Sequence, residues 1–375
     1  MKVLFCIKAM DTPGGGAERV LADVASGLAD RGHQVFLLSF DDLGGDSFYA
    51  ISPKIQRVRI GAGRESDSSK SFRILRHMLI MRRIIRRLAP DVAVGFMHSA
   101  YIPLGLALWG TGLPVIASEH IVPEHYRSRP LQAALLHLTP FLVNRITCVS
   151  EQVRLAFSPF LREKMVVVPN PISASSGIPA DVTGRRKQRK TILTVGRMDA
   201  QKDHRTLIGA FARVADEYPD WDLRIVGTGE LLGELKAQIS SLRLDGRVLI
   251  PGATKDVERE YEEAQLYVQP SRYESYGLTV VEALGHGLPA IGFSNCLGVN
   301  ELIQHGKNGL LVDGHGDRVT ALADGLRTLI SDTELRIELS KSGVGPMLEH
   351  RIKPVLDRWE SLLVGGLGAR EGATP

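Results

Sequence analysis

Short apolar runs that end in glycine-rich or polar loops, each followed by a helical pattern, narrow the fold of this chain most. The run at residues 2–8, KVLFCIK, leads into DTPGGGAER and then an apolar-periodic stretch through Leu28. RGHQVFLLSF follows as a second run and leaves through a charged, glycine-containing exit at 41–46. Strands this uniformly apolar are buried on both faces, and the β-turn-α-β order calls for a parallel sheet covered by helices. DVAVGF (91–96), PVIAS (114–118) and ITCVS (146–150) continue the series, and VVVPNPI (166–172) closes it.

The rhythm stops once. SASSGIPADVTGRRKQRK (173–190) is rich in Ser, Gly, Pro and charge and has no period, so it reads as a linker. TILTVGRM, DLRIVGTG, RVLIPGA, AQLYVQPS and PAIGF then repeat the strand pattern with helices between them. At roughly 100–200 residues per domain, 375 residues fit two such domains. The expected fold is α/β: two doubly wound Rossmann-like domains facing across a cleft. The expected boundaries are 1–172 for the first domain, 173–190 for the linker and 191–350 for the second. A helix at 351–364 then returns to the first domain, and 365–375 form a flexible tail.

The remaining composition excludes several classes. Charged residues are 23% and hydrophobic ones 44%, which is globular rather than disordered or fibrous. Cys6, Cys148 and Cys296 are odd in number and far apart without a CxxC, so neither a disulfide framework nor a cysteine zinc site is expected. The N-terminus has no signal-peptide cleavage pattern and reads as a buried strand. Between Asp91 and Glu119 lie 27 uncharged residues, but Pro103, Gly110, Gly112 and Pro114 break them. Two buried strands joined by a buried helix account for this stretch better than a membrane span.

Ligands of doubly wound sheets sit beyond the carboxyl ends of the strands, so the strand-end loops are the candidate sites. Gly14, Gly15 and Gly16 open the first helix, where glycine admits close backbone approach and helix N–H groups favour an anion. Arg19 stands where a dinucleotide fingerprint has its third glycine, and Asp41 could imitate a ribose-binding acid; a plain tight turn is the alternative. TVGRMDAQKDH puts Arg197 and Lys202 in one turn at a strand end, a fork and a point charge suited to a diphosphate. In QPSRYESYGLTVVEALGHGLP, Glu274 follows a strand and Glu282 lies about two turns into the next helix. The N–H groups around Tyr276, Gly277 and Leu278 are placed for phosphate, with the Thr279 hydroxyl beside them. The two carboxylates can accept from sugar and ribose hydroxyls. Taken singly, Glu282 is equally an exposed helix charge and Glu274 a loop acid.

GGGAERV (14–20), SEH (118–120), GRMDAQKD (196–203) and ESYGLTVVE (274–282) together resemble the GT-B glycosyltransferases of the retaining family 4 type. The last segment matches that family's E-x7-E pattern, and HGKNGLLV (305–312) and the final helix are similar too. The resemblance spans the chain in order. It implies that Arg197 and Lys202 bind the donor diphosphate, that Glu282 holds the ribose and Glu274 the transferred sugar. It implies that Tyr276, Gly277, Leu278 and Thr279 line sugar and phosphates, and that Gly252 faces the base. Gly15 and Gly16 would approach the β-phosphate and acceptor, and His120 the reacting sugar. The family uses no metal or other cofactor, and no Asp-x-Asp or histidine cluster is visible in the sequence. Ser275 and Tyr276 depart from the usual residues after the first glutamate, and GVNELI is a loose match.

The net charge of +4 is unevenly spread. Residues 1–170 carry 21 Lys+Arg against 14 Asp+Glu, and the remaining 205 carry 25 against 28. From Ser68 to Pro90 there are seven cations (Lys70, Arg73, Arg76, Arg82, Arg83, Arg86, Arg87) and no acid. At about 100° per residue, Ile74, Met78, Met81, Ile85 and Leu88 form a core stripe, opposite Arg73, Arg76, Arg83 and Arg87. Arginine mixed with Leu75 and Leu79 on an outer face suits anionic headgroups or a lipid diphosphate; a solvated basic helix is the alternative. Nucleic acid is disfavoured because only Phe72 accompanies the charges. The helix resembles one in transferases that extend polyprenyl-diphosphate-linked glycans, which implies lipid-diphosphate contacts for Arg76, Arg83 and Arg87.

The expected function is a retaining glycosyltransferase. It moves an N-acetylhexosamine or hexose from a UDP-sugar to a polyprenyl-diphosphate-linked glycan at the inner face of the plasma membrane. The alternatives are another nucleotide sugar with a soluble acceptor, a GT-B-like epimerase, a nicotinamide oxidoreductase and a silent carbohydrate-binding scaffold.

Overall fold

The computed structural model describes residues 1–11, 15–41, 46–61, 71–127, 129–172, 179–185 and 188–368. The chain forms two compact units, Met1–Pro171 with Ile352–Pro375, and Ile172–Arg351.

The first unit is built on seven parallel strands: β1 (Lys2–Ile7), β2 (Gln34–Ser39), β3 (Gln56–Arg59), β4 (Val92–Phe96), β5 (Val115–Ser118), β6 (Arg145–Cys148) and β7 (Met165–Val167). Their order in the sheet is β3-β2-β1-β4-β5-β6-β7. The winding therefore reverses between β1 and β4, where Val3 pairs with Val92 and Cys6 with Gly95. Helices α1 (Gly16–Asp30), α2 (Ser71–Leu88), α3 (His98–Leu108), α4 (Pro130–Leu142), α5 (Glu151–Ala156) and α6 (Pro159–Arg162) connect the strands. The strand β3, Gln-Arg-Val-Arg, carries no apolar run and was not readable from hydrophobicity; as an edge strand it is only half-buried.

The second unit repeats the plan with β8 (Lys190–Val195), β9 (Trp221–Val226), β10 (Val248–Gly252), β11 (Leu266–Gln269), β12 (Ala290–Phe293) and β13 (Gly309–Val312). Their order is β10-β9-β8-β11-β12-β13, so the reversal falls between β8 and β11. The helices are α7 (His204–Ala212), α8 (Leu232–Ser241), α9 (Val257–Glu263), α10 (Leu278–Gly285), α11 (Arg318–Ser331) and α12 (Thr333–Gly343).

The last helix, α13 (Ile352–Gly368), belongs to the first unit. It buries Val355, Leu356, Trp359 and Leu363, a helical stripe, in the same core as the α1 residues Val20, Val24 and Leu28. Gly27 permits the approach, because a Cβ there would lie 2.5 Å from a Leu356 methyl. Arg31 pairs with Asp357 and Glu360 beside this contact. The helix runs four residues into the segment expected as tail; 369–375 lie outside the described residues.

The expected linker is also corrected in part. Of it, 173–178 and 186–187 lie outside the described residues, but the rest is bound to the second unit. Ala180 N–H donates to His286 O (2.9 Å), Asp181 N–H to Glu262 O (3.1 Å) and Arg336 Nε to Val182 O (3.0 Å). These bonds are made by the segment's own main-chain N–H and C=O groups, so it is held to the second unit without needing a hydrophobic period. No described helix is long and apolar enough to cross a membrane.

Candidate donor site in the second unit

Reversal of the strand order at β8 and β11 leaves their two exit loops side by side, and these loops bring together residues 72 positions apart. Lys202, from the loop after β8, sets its Nζ 2.6 Å from Oε1 of Glu274, from the loop after β11. The same oxygen accepts from Ser271 Oγ (2.6 Å) and Gln269 Nε2 (3.0 Å). Gln269 Oε1 in turn bonds Tyr267 Oη (2.6 Å) and Thr279 Oγ1 (3.0 Å). A buried chain of side chains thus runs from the end of β11 to the carboxylate. A low-dielectric network of this kind holds one geometry because any member left unpaired is costly.

Each loop is braced from behind. Asp199 Oδ1 accepts from the Lys202 N–H (3.0 Å) while its Oδ2 lies 3.3 Å from Arg197 Nη2, so one acid shapes the turn and steers the exposed guanidinium. Gly227 and Gly229, after β9, lie against the Gly196–Met198 backbone, and any Cβ on either would strike that loop's main chain. Arg318 stacks its guanidinium 3.6 Å from the Phe293 ring centre and donates to Pro270 O (2.9 Å) and Ser271 O (3.2 Å). Glu274 N–H donates to Leu297 O (3.1 Å), and Gly298, at φ +80°, passes so close that a Cβ would meet Glu274 O at 2.6 Å.

The helix α10 starts at Leu278 with Gly277 in the left-handed region at φ +73°, which glycine alone adopts without strain. The first N–H groups of α10 lack intrahelical acceptors and carry its partial positive charge. Arg197, Lys202, Glu274 and this helix start therefore share one strand-end region. The arrangement suits an anion with a hydroxyl-bearing group beside it: cations and N–H groups for the one, a fixed acceptor for the other.

Several expected residues sit differently from the sequence reading. Tyr276 is buried and its phenol bonds the His350 ring, so the side chain is turned away from the loop mouth. Thr279 spends its hydroxyl on Tyr267 (2.7 Å) and Gln269 rather than standing open beside the N–H groups. Glu282 is not an exposed helix charge: it is buried, and its Oε2 accepts from Tyr261 Oη at 2.8 Å. Gly252 ends β10 at φ +93° with open space where a Cβ would be. Tyr267, Gln269, Ser271 and Arg318 were missed; the signal available was their adjacency to Glu274 or to a strand end, and it is weak without the sheet order.

The remaining expected residues lie in the first unit. His120 follows β5, and its ring stacks on Phe96 (5.0 Å, 20°), which stacks on Trp359 of α13 (6.0 Å, 17°). Burial holds the imidazole neutral, lowering its pKa to about 4. Its Nε2 lies 2.9 Å from Ser118 Oγ, which also accepts from Thr147 Oγ1 at 2.9 Å, and its Nδ1 is buried without a hydrogen-bond partner among the described residues. Beside it Glu119 is fully buried, and burial raises its pKa to about 6. It accepts from Tyr101 Oη (2.5 Å), Tyr126 Oη (3.0 Å) and the Ile121 N–H (2.9 Å).

Gly16 is the first residue of α1 and Gly15 its N-cap, with the Glu18 carboxylate folded back over Gly15; Gly14 lies outside the described residues. Asp41 accepts from the Met10 N–H (2.9 Å) and is buried, a turn-closing role that leaves the dehydrogenase imitation without support. On α2, Met81 and Ile85 are buried while Arg83, Arg86 and Arg87 are exposed. Arg82 instead caps α3, donating to Ala107 O (3.2 Å) and Trp109 O (3.4 Å). The helix includes Arg73 and Arg76, whose side chains lie outside those described; Lys70 precedes it, also outside.

Two protein-family models match the chain in tandem: Glycosyltransferase Family 4 over 14–176, and Glycosyl transferases group 1 over 180–344. An uncharacterized glycosyltransferase of Haemophilus influenzae is 27% identical over 356 residues, covering 93% of this chain and 96% of the relative. The N-acetylgalactosamine-N,N'-diacetylbacillosaminyl-diphospho-undecaprenol 4-alpha-N-acetylgalactosaminyltransferase of Campylobacter jejuni is 25% identical, covering 86% of this chain and 88% of the relative. Among solved structures, Anabaena Alr3699/HepE in complex with UDP and glucose superposes with a TM-score of 0.78 at 19% identity, covering 97% of this chain and 99% of that one. With two doubly wound units and matched families across both, the chain is a GT-B glycosyltransferase of the group 1, Family 4-like kind.

Proposed function

We propose that this glycosyltransferase moves a sugar, an N-acetylhexosamine or hexose, from a UDP-sugar to a polyprenyl-diphosphate-linked glycan, with retention at the anomeric carbon. The observation that carries the donor half is the Lys202–Glu274 pair at the strand-order reversal, with Arg197 and the start of α10 beside it. The diphosphate lies against Arg197, Lys202 and the N–H groups at Gly277 and Leu278, and Glu274 accepts from hydroxyls of the transferred sugar. As the glycosyl–phosphate bond breaks, negative charge grows on the leaving diphosphate. Fixed cations and N–H dipoles stabilise that charge more in the transition state than in the ground state. The cations at the diphosphate are protein side chains, so this reading assigns no metal there. Retention follows if the acceptor hydroxyl attacks on the face the diphosphate leaves, with a phosphate oxygen taking its proton; no separate base is assigned. His120 is assigned in this reading to the reacting sugar. A UDP complex of a structure with this fold supports the choice of nucleotide.

The acceptor half rests on the first unit. Exposed Arg83, Arg86 and Arg87 share α2 with Leu79, and the packed helices α3 and α4 add exposed Trp109, Leu131 and Phe141. Arginine interleaved with large apolar groups fits an anionic membrane surface, with the enzyme peripheral to it. The lipid-diphosphate acceptor in the name of the Campylobacter relative supports the same choice.

The test is a panel of nucleotide sugars with membrane extract, following released nucleoside diphosphate and lipid-linked product. Transfer from a UDP-sugar that depends on the lipid fraction is expected; equal turnover without lipid overturns the lipid-linked reading. Arg197→Ala should lower kcat by about 10²–10³, and Glu282→Ala should chiefly weaken donor binding. If neither changes either parameter, the donor assignment is wrong. Charge reversal at Arg83 and Arg87 should reduce vesicle binding while donor hydrolysis continues.

A further inference from the structure

Between α9 and the end of α10, the second unit gathers three side chains to which the transfer reaction assigns no task. One carboxylate oxygen each of Glu258 and Glu262 and one ring nitrogen of His286 lie within 4.8 Å of one another. The two acids are four residues apart on α9 and so project from one face of it. His286 is the residue that closes α10. It is only 5% exposed, and its Nδ1 is committed to Glu282 O at 2.9 Å. Its Nε2 is fully buried and has no hydrogen-bond partner among the described residues.

We propose that Glu258, Glu262 and His286 bind a divalent cation. Three features support a site rather than a chance acidic cluster. First, the Nδ1–H bond to a backbone carbonyl fixes the tautomer and leaves the Nε2 lone pair available, the arrangement that orients metal-ligating histidines. Second, ring stacking on Tyr261 (5.2 Å, 30°) and the His286 N–H bonds to Glu282 O and Ala283 O keep the imidazole in place. Third, Glu258 and Glu262 bring two like charges to the histidine side of α9. A cation there relieves that repulsion and satisfies a buried nitrogen at once. One imidazole and two carboxylates suit Zn²⁺ or Mn²⁺, with water completing the shell.

The position gives the ion a mechanical role. Glu262 O and His286 O are the acceptors that hold the Asp181 and Ala180 amides, so a metal fixing these two residues also fixes Ala180 and Asp181. Through Nδ1 it reaches the backbone of Glu282, one turn away on α10.

The test uses the full chain stripped with a chelator and titrated with Zn²⁺ against a chromogenic competitor, alongside hydrogen exchange. One equivalent of Zn²⁺ should bind, and exchange of the Ala180 and Asp181 amides should slow when it does. His286→Gln, and separately Glu258→Gln with Glu262→Gln, should weaken binding at least about tenfold and abolish the change in exchange. The carboxylate pair is half-exposed, so that variant keeps the test valid if His286→Gln fails to fold. Unchanged affinity in the carboxylate variant, which would place the ion on an adventitious site, or absence of Zn²⁺ binding, overturns the proposal. Neither readout depends on the sugar donor or on turnover.

Discussion

Glu119 makes the stability of the first unit depend on pH in a calculable way. The carboxyl is 1% exposed, and burial raises its pKa from 4.5 to about 6 despite three donors aimed at it. In the unfolded chain it titrates near its ordinary value, so between those pH values the folded state binds the extra proton. Stability from this group is fully present below about pH 4.5 and is lost as pH rises through about 6. A difference of about 1.5 units corresponds to about 2 kcal/mol. Glu119→Gln removes the titration while keeping the shape. The hydrogen bonds it changes shift stability by a constant, whereas the difference between variant and parent should grow by about 2 kcal/mol in the variant's favour from pH 4.5 to 7. Urea unfolding in a Trp221→Phe background reads the first unit alone, since Trp109 and Trp359 both lie there. Contributions of His120 and His204 are common to both proteins and cancel. A difference that stays flat within about 0.5 kcal/mol, or a carboxyl NMR titration midpoint near the ordinary value, would refute the reasoning.

Three further outcomes follow from the packing. His204 is 2% exposed, and burial and then the Lys202 charge lower its pKa to about 4; its contribution to the second unit is present above pH 6.5 and falls by about 3 kcal/mol as pH drops to 4, which His204→Gln should abolish in Trp221-monitored unfolding. Gly298→Ala puts a methyl 2.6 Å from Glu274 O at a positive φ, so it should cost about 1–3 kcal/mol and weaken UDP binding by calorimetry, while UDP binding at parental strength would show that the loop yields. Trp359→Ala removes the plate under Phe96 and His120 and should cost about 3–5 kcal/mol in the first unit; a loss below 1 kcal/mol would mean that α13 is not part of its core.

The strands were legible because most are near-continuous apolar runs, and the loops because glycines and paired charges interrupt those runs. The strand β3 escaped because Gln-Arg-Val-Arg has no such run; pairing with β2 alone makes it a strand. Glu274, Lys202 and Arg197 were legible as residues suited to anion and hydroxyl binding. Their supports were not, because Gln269, Ser271 and Arg318 look like ordinary polar residues until the sheet places them. The same holds for the connector, which reads as solvated in sequence while the main chain of Ala180, Asp181 and Val182 bonds to the second unit.

By itself, then, the sequence determined the layered α/β plan, the two-part division and the residue types at strand ends, since hydrophobic period and turn chemistry are local properties. Tertiary structure decided which of those residues meet. The order β10-β9-β8-β11-β12-β13 sets two loops 72 residues apart side by side, and only that adjacency pairs Lys202 with Glu274. It also decided which polar groups face inward: Tyr276 and Thr279 are spent on packing partners, Glu282 is buried, and His286 is brought to Glu258 and Glu262. Burial and long-range pairing depend on how the elements stack, and no local pattern encodes that.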